Sequence, residues 1–450
     1  MLPATRFVPF LIATSILLVP AVWNGFPLLE YDTGGYLVSW FEGLLAPSRS
    51  PTYGLLLAAG WRLDFWPNVV LQAAAAVWLI RLSLKAHHFS IYPVGLLAVT
   101  AVLAVTTALP WLASELITDI FAGLAVLALH VLTWHAERIE PRQRVALIAF
   151  IAYAASTHSA TYAVLLGLAL AALVAKLFNP KLITSAAIAR AATAMVLGAT
   201  MLIAGNYIAA KRLTWTPGGY SLAFARMLQD GIVTRYLDDH CPDVRLKLCP
   251  YRNELPLDAD EFLWDGPIFD KLGRFAGLGD EMRMIVLESL RDYPWLQIKA
   301  AATATAKQLA AIGTGEGIVA DMWHTDWAIS HFTPEAAPAM HAARQHRGEI
   351  DFAAINEVHE PVAWAAMLLL PLIVLLGFWR ADFADLSRLS ATVALALFGN
   401  AAFCSVISNP HDRYGSRLVW IAVFAATLAF WRVLAGARMR TDRSTAEVLR

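Results

Sequence analysis

Charged residues are scarce in this chain of 450 residues: Asp, Glu, Lys and Arg make up 16% of it, whereas 58% is hydrophobic. The mean hydropathy of +0.54 excludes an ordinary soluble globular protein and is typical of a helical membrane protein. Because the formal net charge is zero, no nucleic-acid-binding surface is expected. The sequence also lacks the glycine-rich loops that hold nucleotide phosphates, so nothing supports an ATP or nucleotide-sugar site.

Cysteine is rare as well, with only Cys241, Cys249 and Cys404 present. The three form no CxxC pair and no zinc-ligand spacing, so the cysteines indicate no zinc site. Cys241 and Cys249 lie in a long polar stretch, and on the outside of a membrane they can form a disulfide that closes a short loop. The alternative is a pair of free thiols. Cys404 lies in an apolar segment and is interpreted as a core residue.

Long apolar runs dominate the rest of the chain. A helix that crosses the hydrocarbon core of a bilayer needs about 20 residues. Two adjacent apolar runs are separated by the short polar stretch 156–159, which is predicted to form a tight turn. The predicted fold class is an all-α polytopic membrane protein with about ten transmembrane helices. The ten predicted segments lie near residues 6–23, 66–84, 91–109, 117–135, 144–157, 160–177, 191–209, 361–380, 389–408 and 416–434.

The distribution of Lys and Arg predicts the orientation of these segments. With the N-terminus inside, the inner segments carry 16 such residues and the short outer segments carry four, as the preference of basic loops for the cytoplasm requires. This predicts a multi-pass membrane protein with both termini cytoplasmic. The predicted divisions are a transmembrane module at 1–210 with its first external loop at 24–52, an extracytoplasmic insertion at 211–360, further transmembrane helices at 361–435 and a basic tail at 436–450.

The insertion at 211–360 is predicted to be mostly helical and to cap the outer face. Its alanine-rich stretch Trp295 to Ile312 resembles a crossing, but Lys299 and Lys307 would each cost about 3 kcal/mol at the bilayer centre. A helix lying at the membrane surface and introduced by Tyr293-Pro294-Trp295 fits better.

Asp32 is the first candidate functional residue, in the stretch Glu30-Tyr31-Asp32-Thr33-Gly34-Gly35-Tyr36. The two glycines permit a tight turn that presents the carboxylate. The following residues, Tyr36 to Leu45, are predicted to form an aromatic helix in the headgroup layer, and Arg49 adds a cation. The alternative is that Asp32 only caps this helix.

Two further outer turns carry titratable groups. Glu115 and Asp119 are four residues apart and would project from one face of a helix, where carboxylates can share a proton, bind a cation or receive an arginine. The alternative is helix capping, since acidic residues are favoured at helix N-termini. His158 lies in the turn at 156–159. It is interpreted either as a ligand-binding residue or as a hydrogen-bonded structural residue.

The last outer loop, 408–417, combines His411, Arg413 and Tyr414 at the start of a helix. Arginine holds phosphate oxygens bidentately, and a helix N-terminus adds backbone donors. The alternative is an ordinary belt of arginine and tyrosine at the membrane interface.

The arrangement of these segments resembles the GT-C superfamily of polytopic glycosyltransferases, especially the bacterial aminoarabinose and protein-mannosyl transferases. The points of similarity are Asp32 with its aromatic helix, the Glu115 and Asp119 turn, the Tyr293-Pro294-Trp295 helix, and the segment from His411 to Tyr414. The resemblance implies that a sugar arrives on a polyprenyl phosphate and passes to a lipid, glycan or protein acceptor. It implies that Asp32 is the general base and that Arg413 holds the departing phosphate.

On this interpretation Asp32, Glu115 and Asp119 are the catalytic candidates. The substrate-binding candidates are Tyr36, Arg49, His158, His411, Arg413 and Tyr414. No Asp-x-Asp pair follows the first helix, so no metal ligand is assigned and a divalent cation stays an open alternative. Two other functions also stay open. One is a lipid or polysaccharide transporter without covalent chemistry, which polar residues such as Asn206, Asn400 and His130 permit, and the other is a non-catalytic scaffold whose outer loops do not meet.

Overall fold

The computed structural model describes residues 4–47, 49–89 and 93–448, and helices account for most of this part of the chain. The helices before the insertion are α1 Ala4–Leu17, α2 Val19–Asn24, α3 Thr33–Phe41, α4 Pro51–Gly60, α5 Trp66–Ala86, α6 Val94–Thr106, α7 Leu109–Ser114, α8 Asp119–Trp134, α9 Pro141–Thr157, α10 Ser159–Phe178 and α11 Ser185–Ala210. Those of the insertion and beyond it are α12 Gly219–Gln229, α13 Ile232–His240, α14 Pro267–Lys271, α15 Arg274–Asp292, α16 Pro294–Ala310, α17 Trp323–Phe332, α18 Ala337–His341, α19 Phe352–Trp379, α20 Ala384–Ile407 and α21 Asp412–Val448.

Six helical segments in the described ranges are long and apolar enough to cross a membrane, which indicates a membrane-embedded helical protein. The other predicted crossings are also helical, as α1, α6, α8 and α9, but they are shorter or carry more polar residues, so ten crossings stays a prediction. The six segments are Trp66–Ala86, Ser159–Phe178, Ser185–Ala210, Phe352–Trp379, Ala381–Ile407 and Asp412–Ala435.

Helix α8 is the centre of the bundle. It is buried without interruption from Asp119 to Leu132, and it packs against α5, α9, α11 and α21. A 16-residue helix is about 24 Å long, so α8 joins two distant ends of the molecule. We call them the Asp119 end, where α8 begins, and the His135 end, where it stops.

Several helices begin or end a few residues away from the predicted boundaries. Helix α19 begins at Phe352, within the insertion predicted at 211–360. Helix α21 continues to Val448 and therefore includes most of the tail predicted at 436–450. The first predicted segment is interrupted between α1 and α2, where Pro20 occupies the first turn of the new helix, a position that suits a residue without a backbone N–H.

The helix after Asp32 is also placed differently from the prediction. It ends at Phe41, and every residue from Thr33 to Ser39 is buried, because α17 of the insertion packs over it. The Gly34 N–H donates to Thr325 Oγ1 at 3.0 Å. The insertion therefore covers this helix, which spans Thr33–Phe41 rather than residues 36–45; its position in the headgroup layer stays a prediction.

The insertion has two parts. Residues between 219 and 293 enclose a small hydrophobic core of their own, with Phe224, Phe262 and Phe269 fully buried, and a disulfide joins Cys241 to Cys249 at its edge. The part after α16 packs on the loop that connects α2 to α3, where the side-chain amide of Gln345 donates to the Leu29 carbonyl at 2.7 Å. The stretch predicted as a surface helix is helical as α16, which starts at Pro294 and packs against α20; its placement at the membrane surface stays a prediction.

Removing the disulfide is expected to loosen this small core. For a bridge between residues eight apart, the loss of loop-closure restraint is about 2.5 kcal/mol. In a variant with Cys241→Ser and Cys249→Ser, amide hydrogen exchange between 219 and 293 should accelerate by up to about 70-fold, since local opening controls it. Exchange in α8 should not change, and a Cys404→Ser variant should match the parent protein. Unchanged exchange in the small core would show that packing alone sets its stability.

Candidate active site at the Asp119 end

Two short backbone pairings bring together segments that the sequence predicts to lie on the outer face. Leu28 pairs with Glu115 in a parallel bridge, and Arg49 pairs with His158 in an antiparallel bridge. The Leu28 carbonyl accepts from the Leu116 N–H at 2.9 Å. These contacts place the first loop beside the α7–α8 connection and the α9–α10 turn, as a shared site requires.

The Asp32 carboxylate lies between two arginines. One oxygen forms an ion pair with Arg49, and the other accepts from Arg413 Nη1 at 3.1 Å. Asp32 does occupy the residue before α3, but its side chain makes no capping bond to a described backbone N–H, so the capping interpretation is wrong. Burial alone would raise the pKa of Asp32, but Arg49 and Arg413 outweigh it and hold that pKa well below its usual range.

Arg413 connects the acidic groups of the site. Its guanidinium donates to Glu30 at 2.5 Å, to Asp32 at 3.1 Å and to Asp119 at 3.1 Å. Its backbone N–H, in the first turn of α21, donates to Glu316 Oε2 at 2.8 Å. The guanidinium thus holds side chains from the first loop and the start of α8 with charge-assisted bonds, which are among the stronger ones in proteins, and the backbone of the same residue holds the insertion.

A second arginine, Arg417, binds the same Asp119 carboxylate as Arg413. It is fully buried and donates to the other oxygen of Asp119 at 3.1 Å and to Asn400 Oδ1 at 2.5 Å. Tyr414 lies beside both guanidiniums: its ring centroid is 5.7 Å from Arg413 Cζ and 5.2 Å from Arg417 Cζ. Sequence reasoning placed Arg417 in the last loop but did not select it, because an arginine inside an apolar helix reveals its role only through its partners.

Glu115 and Asp119 do not share a helix face. Helix α7 ends at Ser114, Glu115 is extended (φ −101°, ψ 142°), and α8 begins at Asp119. The helix breaks because this segment pairs with Leu28 instead of continuing. The favourable position of an acidic residue in a first helical turn therefore applies to Asp119 and not to Glu115.

Glu115 nevertheless faces the same cleft as Asp119 and Arg413. Its carboxyl group forms no hydrogen bond with a residue in the described ranges, and the residue is 6% exposed. Burial raises the pKa of Glu115 well above its usual value, and the nearby carboxylates of Glu30 and Asp119 reinforce the shift. The cleft has a free volume of about 10 Å³, room for about one water.

Glu30 belongs to the site although it was not predicted there. It is 2% exposed, and its second oxygen accepts from the Asp32 N–H at 2.6 Å. Burial raises the pKa of Glu30 to about 8 against the attraction of Arg413. Gly317 covers it with a left-handed φ of 86°, and a Cβ at that position would lie 2.4 Å from the carboxylate. Its position two residues before Asp32 was the only sequence signal.

The two predicted histidines lie in different surroundings. His158 is buried, and its Nδ1 has no hydrogen-bond partner in the described part of the chain; burial and then Arg417 lower its pKa to about 3. His411 bonds Glu316 through Nδ1 at 2.7 Å and lies 3.3 Å from Asp260 through Nε2. Burial would lower the pKa of His411, but Asp260 and Glu316 raise it to about 9, so it links the insertion to α21 as a cation.

Tyr36 completes the set of predicted residues. It is fully buried and its hydroxyl lies 3.2 Å from Thr118 Oγ1, next to the start of α8. All nine predicted residues therefore lie at the Asp119 end. The carboxylates of Glu30, Asp32 and Asp119 converge on guanidinium groups rather than on a shared empty point, an arrangement that suits an anion better than a divalent cation.

The raised pKa of Glu30 predicts a pH-dependent stability. The folded state keeps a proton on Glu30 up to a pKa of about 8, whereas the unfolded chain releases it near the ordinary value of 4.5. Stability should therefore fall as the pH rises through this window. We expect the unfolding temperature in detergent to decrease between about pH 6.5 and pH 8.5, and Glu30→Gln to reduce this decrease.

His411 contributes in the same direction in this range, since its folded pKa of about 9 exceeds its ordinary value, so some slope should remain in Glu30→Gln. His158 contributes only below its ordinary value of 6.5. Glu335→Gln, on an exposed glutamate, is the control and should keep the parent slope. Identical slopes for Glu30→Gln and the parent protein would contradict the prediction.

No family model, curated protein or solved structure matches this chain. The geometry at the Asp119 end and the resemblance of short segments are therefore the basis for assigning a function.

Proposed function

We propose that this protein is an inverting membrane glycosyltransferase of the GT-C type. It would move a sugar from a polyprenyl-phosphate donor to a lipid, glycan or protein acceptor at the extracytoplasmic face of the bacterial inner membrane, with both termini in the cytoplasm. The observation that carries the proposal is the Asp32 carboxylate held between Arg49 and Arg413 at the end of an apolar helix bundle. There, a lipid can stay in the membrane while its headgroup reaches a charged cleft.

The arginines of the cleft favour a phosphate. Arg49 and Arg413 hold the Asp32 carboxylate, and Arg413 also pairs with Glu30 and Asp119. The pKa values of Glu30 and Glu115 are raised, which weakens the repulsion between these two groups and a bound anion. Arg413 is the natural partner, since its fork-shaped guanidinium already holds paired carboxylate oxygens.

Phosphate binding at Arg413 would also activate the base. In the structure, Arg49 and Arg413 hold the pKa of Asp32 too low for efficient proton abstraction. A phosphate that takes over Arg413 removes one of these interactions, so the Asp32 pKa rises toward its ordinary range. The base would thus become effective only when the donor is in place.

The transfer step itself is a displacement at the anomeric carbon. Asp32 takes the proton of the acceptor hydroxyl, and the acceptor oxygen forms a bond to the anomeric carbon. The bond from that carbon to the phosphate oxygen breaks, and its electron pair leaves with polyprenyl phosphate. Arg413 and Arg49 stabilise the extra negative charge that develops on the phosphate, the kind of electrostatic effect that usually dominates catalysis.

The ion pairs nearly fill the cleft, so a donor must separate some of them. The segment around Gly317 and Glu316, which covers Glu30 and Arg413, is the part of the insertion that would move. The insertion would therefore control whether the donor can enter the site.

The proposal can be tested with purified protein in liposomes that contain a panel of polyprenyl-phosphate sugars. The expected result is release of free polyprenyl phosphate together with a product of inverted anomeric configuration. Labelled donor that crosses the bilayer without any release would instead favour the transporter. The scaffold alternative predicts neither polyprenyl phosphate release nor transport of the donor. The ion-pair network that joins Asp32, Asp119 and Arg413 argues against this alternative.

A further inference from the structure

A second polar cluster lies at the opposite end of α8, away from the candidate active site. His87 follows α5, His130 lies in the last turns of α8, and His135 follows α8. The three residues are 0%, 1% and 2% exposed. One ring nitrogen of each lies within 4.8 Å of one from each of the other two. Buried polar atoms in proteins normally have a hydrogen-bond partner, so each ring nitrogen of these three imidazoles is expected to have one.

Hydrogen bonds fix the tautomers of two of these rings. His87 Nδ1 lies 3.1 Å from the Asp385 carboxylate, so it carries the proton and its Nε2 presents a lone pair. His130 Nδ1 lies 3.0 Å from Thr392 Oγ1. Because the Thr392 hydroxyl already donates to the Arg388 carbonyl at 2.8 Å, it must accept from His130, whose Nε2 then also presents a lone pair.

These lone pairs have no partner in the described part of the chain. His87 Nε2, His130 Nε2 and both ring nitrogens of His135 are buried and make no hydrogen bond. An unsatisfied buried polar atom costs about 1–3 kcal/mol, so the cluster is costly unless something binds between the rings.

We propose that His87, His130 and His135 bind a divalent metal ion of the zinc type. Neutral imidazole nitrogens are the preferred ligands of such ions, and Asp385 behind His87 matches the carboxylate that commonly orients a metal-bound histidine. Asp385 also forms an ion pair with Arg432, which ties the site to α21. The fourth position of a tetrahedral zinc would be taken by water.

The geometry requires a small closure. Zinc–nitrogen bonds of about 2.0–2.1 Å place tetrahedral ligands about 3.3 Å apart, compared with separations of up to 4.8 Å in the structure. His87 and His135 lie at the C-terminal ends of their helices, where side-chain rotation and a small backbone shift can bring the rings together. A bound ion would connect α5, α8 and α20 at the His135 end and would stabilise the bundle, independently of the proposed transfer reaction.

The test uses the full-length protein in mild detergent, purified with a histidine-free affinity tag from zinc-supplemented medium. We expect about one zinc per chain. After chelation, readdition of Zn²⁺ should raise the unfolding temperature, and Co²⁺ should give the visible absorption of a tetrahedral nitrogen site.

Variants make the assignment specific. His130→Gln and His135→Gln should lower bound zinc at least tenfold, whereas His88→Gln, which changes an exposed histidine beside the cluster, should retain it. If the glutamine variants fail to fold, zinc content and the Co²⁺ spectrum of the parent protein still decide. A folded parent protein that takes up no zinc and shows no thermal shift with Zn²⁺ would overturn the proposal and indicate that water occupies the cluster.

Discussion

Asp32→Asn is expected to reduce sugar transfer by about 10³-fold, since a positioned general base contributes about 10²–10⁴-fold. Asparagine keeps the size of the side chain and can still accept a hydrogen bond from Arg49 or Arg413, but it cannot take the acceptor proton. The measurement is the initial rate of polyprenyl phosphate release in liposomes. Binding of the donor should persist, because the arginines remain and one competing carboxylate charge has been removed.

The matched control is Asp321→Asn, which changes an exposed aspartate of the same covering segment and should leave the rate unchanged. Both variants should elute as monodisperse protein, so that loss of activity is not loss of fold. Wild-type rates for Asp32→Asn would exclude Asp32 as the base.

Glu30 is the competitor that this experiment must separate from Asp32. Its pKa of about 8 suits proton transfer near neutral pH better than that of Asp32 in the resting site. If Asp32 is the base, Glu30→Gln should lower the rate less than Asp32→Asn does. The reverse order would assign the base to Glu30 and leave Asp32 as a group that orients Arg49 and Arg413.

The sequence was sufficient to predict which segments are apolar helices and which polar residues lie at one end. Both predictions rest on local properties: the length of an apolar run and the position of a residue relative to it. The helix break between Ser114 and Asp119 was not predictable in this way. It depends on Leu28, which lies more than 80 residues earlier and takes a hydrogen bond from Leu116.

The omissions follow the same logic. Glu30 and Arg417 differ from ordinary loop and helix residues only by their partners, which come from distant parts of the chain. The histidine cluster has no sequence motif, because His87 lies on a different helix from His130 and its orienting Asp385 is 298 residues away. The burial of α3 under the insertion likewise arises only in the folded molecule.

Arg417→Met is expected to lower the stability of the protein by about 3–5 kcal/mol, the usual cost of removing one partner of a buried ion pair. Methionine fills most of the space of the aliphatic stem but leaves Asp119 with Arg413 alone and Asn400 Oδ1 without its guanidinium donors. For a chain of 450 residues this corresponds to a decrease of about 3–5 °C in unfolding temperature. Intrinsic tryptophan fluorescence during heating in detergent is the measurement.

Arg142→Met, at an exposed arginine in the first turn of α9, is the control and should unfold with the parent protein. Adding Asp119→Asn to Arg417→Met removes the carboxylate left without its buried partner, so the double variant should regain about 1–3 kcal/mol relative to the sum of the two single changes. That recovery would identify the ion pair, rather than lost packing around Arg417, as the source of the instability. Additive losses would instead assign the effect to packing, and Arg413 alone would then account for the placement of Asp119 in the site.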